Sequence, residues 1–124
     1  MMDVAAGRAT PGQGASGLAR ERCQPIRPGT SALSHFDIEE LADELEPGWH
    51  VNDDLIRREY VTQDFSQAFA FATRIALLAE AQGHHPEIAV SWGRLVVTLS
   101  THAARGLTRN DFILAAHIDA LGGP

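Results

Sequence analysis

An amphipathic run at residues 64–82 is the feature that most constrains how this chain folds. Asp64 is a favourable N-cap residue, and Gln67 stands at the third helical position, where it closes a capping box. Gly83 and Pro86 end the helical pattern. The run therefore predicts a long helix with one apolar stripe, made of Phe65, Ala68, Phe69, Ala72, Ile75, Ala76 and Ala79.

Segments with the alternation of β-strands flank this helix. Residues 49–62 predict two short strands around a polar turn at residues 52–54. Residues 87–102 predict a second hairpin, with Gly93-Arg94 as its two-residue turn. Trp92 shares one face of the incoming strand with the apolar residues before it, so we expect Trp92 to lie in the core.

Two shorter helices complete the pattern. One begins at Ser34, which resembles a capping residue, and the other covers residues 108–121, where Thr108 and Asp111 form a capping box. The order α-β-β-α-β-β-α predicts an α+β domain, a four-stranded antiparallel sheet with three helices on one face. The second face of such a sheet is exposed or used in assembly.

Composition changes sharply near the start of this domain. Residues 1–31 are dominated by Gly, Ala, Pro and Ser and lack apolar periodicity, so they predict a disordered extension before a domain at residues 32–124. Counting Arg against Asp and Glu, residues 1–34 have a net charge of +2 and residues 35–124 a net charge of −8, which sum to −6 for the chain. An acidic domain repels a phosphate backbone, which argues against direct nucleic-acid binding.

Two further observations bear on where in the cell the protein is located. No apolar run approaches the ~18 residues that a membrane-spanning helix requires, so no membrane association is expected. Cys23 is the only cysteine, which excludes an internal disulfide and fits a reducing compartment. We expect a cytoplasmic protein.

Three histidines converge where the long helix ends. His84 and His85 follow Gly83 directly, and His102 ends the hairpin that begins just after them. Glu80 lies one turn before His84, on the same rim. Imidazoles titrate near neutral pH, so the cluster indicates general acid–base chemistry. A helix-dipole role for a single histidine and a zinc site remain alternatives, although adjacent ligands suit a tetrahedral ion poorly.

These residues resemble a known pattern. Glu80, three spacers, His84-His85-Pro86, five spacers, Trp92, nine spacers, His102, eight spacers and Asp111 stand in the register of the pterin-4a-carbinolamine dehydratases. Upstream, the "PGWHV" stretch resembles the Gly-Trp motif of that family and contains Trp49. The resemblance covers roughly residues 33–121.

The resemblance implies an activity that needs neither metal nor redox cofactor. Members remove water from 4a-hydroxytetrahydropterin to give quinonoid dihydropterin, in tetrahydrobiopterin recycling. It also implies a homodimer or homotetramer that assembles through the sheet. An alternative is a non-catalytic dimerisation or scaffold module of the same fold.

Carried over position by position, the family pattern implies roles for seven side chains. His84 and His102 would transfer protons, and His85 would position the pterin. Glu80 would orient a histidine or bind the pterin edge, and Trp49 would pack on the flat ring. The remaining two positions of the substrate-binding set are Pro86 and Asp111, of which Asp111 is also explained as a helix cap.

Overall fold

The computed structural model describes residues 17–124, and within them the predicted order of helices and strands is confirmed. The elements are α1 (His35–Ala42), β1 (Trp49–Val51), β2 (Ile56–Val61), α2 (Phe65–Gln82), β3 (Glu87–Ser91), β4 (Arg94–Leu99) and α3 (Arg109–Asp119). Two short 3₁₀ turns are added, at Gly17–Arg20 and His102–Ala104. None of the helices in this part of the chain is long and apolar enough to cross a membrane.

The four strands form one antiparallel sheet in the order β1-β2-β4-β3. Its helix-facing side is apolar because alternate residues of the two central strands are buried: Ile56, Tyr60, Leu95, Val97 and Leu99. The opposite side carries the ion pair between Glu59 and Arg94, 2.6 Å apart. Pairing of Glu87 with Thr98 places the start of β3 and the end of β4 at the same end of the sheet.

Helix α2 is rotated relative to the predicted stripe. Phe71 is buried and packs edge-on against Tyr60, with ring centroids 5.0 Å apart. Phe65 and Phe69, which were predicted to face the core, are instead 49% and 56% exposed and stack on one another. Ala68, Ala72, Ile75 and Ala79 of the predicted stripe are buried, so the difference is that Phe71 faces the sheet in place of Phe65 and Phe69.

The prediction that Trp92 lies in the core is wrong. The turn between β3 and β4 consists of Trp92 and Gly93, and the Trp92 side chain is 74% exposed. Gly93 has a φ of 72°, which suits the second central position of a type II turn. Since that position needs the glycine, the turn starts one residue earlier than predicted and removes Trp92 from the strand.

Part of the segment expected to be disordered is packed on the domain. Residues 1–16 lie outside the described residues, but Leu18 is only 1% exposed and belongs to the core. His117 of α3 bonds through Nε2 to the Glu21 carbonyl at 2.7 Å. Sequence periodicity could not predict this docking, because the contacting residues of α3 lie 88 and 96 positions away along the chain.

Candidate active site

A buried hydrogen bond between His84 and Asp111 joins the end of α2 to the start of α3. The imidazole Nε2 lies 2.6 Å from Asp111 Oδ1, and the two side chains are 10% and 0% exposed. An ionised carboxylate only accepts hydrogen bonds, so Nε2 donates its proton to Asp111. This leaves Nδ1 of His84 as the ring nitrogen with a free lone pair.

Further donors hold the Asp111 carboxylate in place. Its Oδ2 accepts the Thr108 backbone N–H at 2.9 Å, which is the predicted capping contact. The same oxygen accepts the Thr101 hydroxyl at 2.7 Å. The Thr108 hydroxyl in turn lies 2.7 Å from that of Thr101, so it donates to it. Asp111 therefore caps α3 with one oxygen and orients His84 with the other.

The two adjacent histidines face different surroundings because the helix ends immediately before them. Gly83 adopts the left-handed conformation, with φ 66°, and ends α2. Residues 84–86 then run outside any helix or strand into β3, with His84 buried and His85 exposed. Consecutive side chains of a non-helical segment point to opposite sides, so one imidazole enters the domain and the other faces solvent.

His85 pairs with Glu80 on the surface. The Nε2 of His85 lies 2.6 Å from Glu80 Oε1, and both side chains are mostly exposed. The resemblance implied that Glu80 would orient a histidine or bind the pterin edge, and the contact with His85 is of the first kind. Exposed pairs of this kind contribute little to folding, so the contact adds little to the stability of the domain.

His102 begins the short 3₁₀ turn that follows β4, and its side chain is exposed. The preceding residue is Thr101, whose hydroxyl contacts Asp111. The chain connection therefore brings the His102 backbone to the neighbourhood of the buried pair. Within residues 17–124 no hydrogen bond of the His102 ring is found, which leaves both ring nitrogens accessible.

Trp49 is not brought together with the histidines. It lies in β1, three strands from β3, which is about 14 Å at the usual strand spacing. Its indole N–H donates to Asp119 at 2.8 Å, and Arg58 donates to the same oxygen. Burial raises the pKa of Asp119, opposed by the hydrogen bonds from Glu46 and Trp49. A role for Trp49 on the pterin ring stays a prediction.

The remaining predicted position, Pro86, links the histidines to β3 and is partly buried. Thr101 is a residue that the sequence analysis missed, and its only signal was its place directly before His102 at the end of the predicted strand. Within residues 17–124, no group of three or more His, Cys, Asp or Glu side chains is arranged to hold a metal ion.

Fold and site together define a small α+β domain with a histidine–carboxylate pair at one end of its sheet. The sequence pattern described as "Pterin 4 alpha carbinolamine dehydratase" matches residues 31–121. The chain belongs to that family.

Proteins of similar sequence match this chain over most of its length. A Rubrobacter xylanophilus protein with the provisional name pterin-4-alpha-carbinolamine dehydratase is 42% identical over 107 residues, which are 86% of this chain and 99% of that protein. A Chlorobium limicola protein with the same provisional name is 44% identical, over 84% of this chain and 95% of that protein. The crystal structure of a transcriptional coactivator/pterin dehydratase from Brucella melitensis has a TM-score of 0.68 and 35% identity, and covers 75% of this chain and 100% of that one.

Proposed function

We propose that this protein removes water from a 4a-hydroxytetrahydropterin and releases a quinonoid dihydropterin, as a step of tetrahydrobiopterin recycling. The observation that carries the proposal is the buried hydrogen bond between His84 and Asp111. A carboxylate that holds one ring nitrogen of a histidine orients the other for proton transfer and stabilises the imidazolium that forms. Membership of the family supports the choice of substrate.

The reaction consists of two proton transfers. The hydroxyl on C4a leaves as water after it gains a proton, and N5 loses its proton as the C=N bond forms. Each transfer assisted by a positioned side chain contributes about 10²–10⁴-fold. The net change is the loss of one water molecule, so the step needs no oxidant or reductant.

The proposal divides the two transfers between His84 and His102. His84 is fixed by Asp111 and offers Nδ1 as a base. His102 is exposed and reaches the same end of the sheet through Thr101, so it suits the transfer that exchanges a proton with water. His85, held by Glu80, is positioned to contact the pterin from the solvent side.

The direct test is an assay of the full chain with chemically generated 4a-hydroxytetrahydropterin, in which the loss of the carbinolamine is followed by its absorbance. We expect decay much faster than the spontaneous reaction, with saturation at high substrate. The control is the chain with His84→Gln and His102→Ala together. Decay at the spontaneous rate with the natural chain would refute the dehydratase function.

We also propose that the chain works as a cytoplasmic homodimer or homotetramer. The exposed side of α2 supports assembly, because three large apolar side chains follow one another along it: Phe65, Phe69 and Leu77. Light scattering of the chain and of Phe69→Ser tests this. A monomeric natural chain would refute it.

A second candidate function is a non-catalytic dimerisation or scaffold module, which the same exposed side chains support. The two functions differ in one measurement. A stable oligomer that leaves the carbinolamine to decay spontaneously would favour the module, whereas turnover that disappears with His84 and His102 would favour the enzyme.

A further inference from the structure

The N-terminal segment 17–24, here called the strap, crosses the junction that His84 and Asp111 bridge. At the α2 side, the side-chain Oε1 of Gln82 accepts the backbone N–H of Cys23 at 2.8 Å. Gln82 is the last residue of α2 and stands two positions before His84. The C-terminal end of α2 is therefore hydrogen-bonded to the strap two residues before His84.

At the α3 side, the strap is bound by a two-point contact. Asn110 Oδ1 accepts the Gln24 backbone N–H at 2.9 Å, and Asn110 Nδ2 donates to the Gln24 carbonyl at 2.6 Å. Asn110 is 6% exposed and immediately precedes Asp111. The strap thus holds the second helix end directly beside the carboxylate.

Separate contacts anchor the strap so that it can act as a fixed support. Leu18 is 1% exposed within the core, and Glu21 forms an ion pair with Arg109 at 2.7 Å. His117 bonds to the Glu21 carbonyl. The pattern of the family begins at residue 31, so the strap precedes it, whereas the partners Arg109 and His117 lie within it.

We propose that the strap is a positioning element that keeps His84 and Asp111 in register by holding Gln82 and Asn110 together. The hydrogen bond between the pair is short and depends steeply on distance and angle. Helix ends fray more readily than helix centres, and a shift of about 1 Å at a catalytic group can cost far more in rate than in stability. The predicted effect on turnover rests on the proposed function, but the effect on the pair does not.

The test replaces the two contact residues and leaves His84 and Asp111 unchanged. Gln82→Ala with Asn110→Ala releases the strap, and Gln82→Glu keeps an oxygen that can accept the Cys23 N–H. Gln82→Ala alone is the milder variant if the double variant does not fold. Leu41→Ala is the matched control, because it destabilises the core from α1 and removes neither of the side chains, Gln82 and Asn110, that hold the strap.

Two readouts are compared in the full chain. NMR of ¹⁵N-histidine-labelled protein follows the hydrogen-bonded ring N–H of His84, and steady-state kinetics separates kcat from KM. Releasing the strap should speed exchange of that proton about tenfold or more. It should also lower kcat about tenfold with KM changed less than about twofold. Gln82→Glu should retain both properties, and so should Leu41→Ala.

Unchanged proton exchange in the double variant would overturn the proposal, as would the same change in Leu41→Ala at an equal loss of melting temperature. An inactive natural chain would refute the dehydratase function, while the NMR comparison would still decide whether the strap positions the pair.

Discussion

Asp111 contacts His84 with one carboxylate oxygen while its other oxygen caps α3. The capping contact that the sequence predicted and a contact with His84 that it did not predict therefore coexist in one side chain. Capping fixes the carboxylate relative to the helix, and the fixed carboxylate then orients the imidazole. A residue of this kind couples the stability of the domain to the geometry of the candidate site.

Replacing Asp111 by Asn should lower both stability and turnover. The amide keeps hydrogen-bonding capacity but loses the charge, so Nε2 of His84 no longer has a carboxylate to donate to. We expect kcat to fall about 10²-fold or more, since the imidazole loses its orientation and tautomer. Steady-state kinetics and thermal melts measure the two effects.

Asp64→Ala is the matched control for Asp111→Asn. Asp64 caps α2 through the Gln67 N–H at 2.8 Å and has no contact with the histidines. We expect a stability loss of about 1 kcal/mol with unchanged kcat. Retained turnover in Asp111→Asn would restrict Asp111 to its capping role.

The three histidines should separate into two groups by kinetics. His84→Gln and His102→Ala should each lower kcat about 10²-fold or more, because each removes a proton-transfer group. His85→Ala should raise KM more than it lowers kcat, because its ring lies on the solvent side with Glu80. Glutamine at position 84 keeps a donor for the buried Asp111, so the variant is expected to fold. Full activity in both His84→Gln and His102→Ala would contradict the assignment.

A chelator should leave turnover unchanged. The proposed chemistry uses only proton transfer by side chains, so no step depends on a bound ion. The measurement is the dehydration rate before and after dialysis against EDTA. Activity that is lost in EDTA and restored by zinc would support the metal site that the sequence analysis kept as an alternative.

Leu18→Ala should destabilise the chain. The sequence-based expectation was that residues 1–31 form a disordered extension, but Leu18 is buried in the core. Large-to-small changes at such positions cost about 2–5 kcal/mol. Chemical denaturation measures the difference, and Phe36→Ala is the control because Phe36 is 66% exposed and lies outside the proposed assembly surface. Equal stability of the two variants would show that the strap does not dock.

Cys23 should react slowly with alkylating reagents. Burial first, and then the charge of Asp111, raise the pKa of its thiol to about 11. At pH 8 the thiolate fraction then falls roughly two hundredfold below that of a free thiol, while the stronger nucleophilicity of the thiolate recovers about tenfold. We expect alkylation at least about tenfold slower than for a free cysteine, rising with pH toward 11.

The rate of alkylation also reports the position of the strap. Leu18→Ala should speed the reaction of Cys23 at pH 8, because release of the strap returns the thiol to water. Free cysteine at the same pH and reagent concentration is the reference. Reaction of the natural chain as fast as that reference would contradict the docked geometry.

Local patterns were sufficient to predict the fold. Apolar periodicity, the caps at Asp64 and Thr108 and the stop at Gly83 act over a few residues, so they can be read from neighbouring positions. The local pattern cannot distinguish two arrangements of an element that differ by a small rotation of a helix or by a one-residue shift of a turn. The orientation of α2 depends on the contact between Phe71 and Tyr60. Trp92 lies outside the core because the turn requires Gly93 at its second central position.

The location of the histidines was likewise predictable from the sequence, but the partner of each side chain was not. The sequence alone determined that His84, His85 and His102 gather at one end of the sheet. Tertiary structure decided that His84 contacts Asp111, that His85 contacts Glu80 and that Trp49 contacts Asp119 instead of joining them. It also decided that the strap docks. Periodicity records which face of an element is apolar, whereas hydrogen bonds between distant residues depend on how the elements meet.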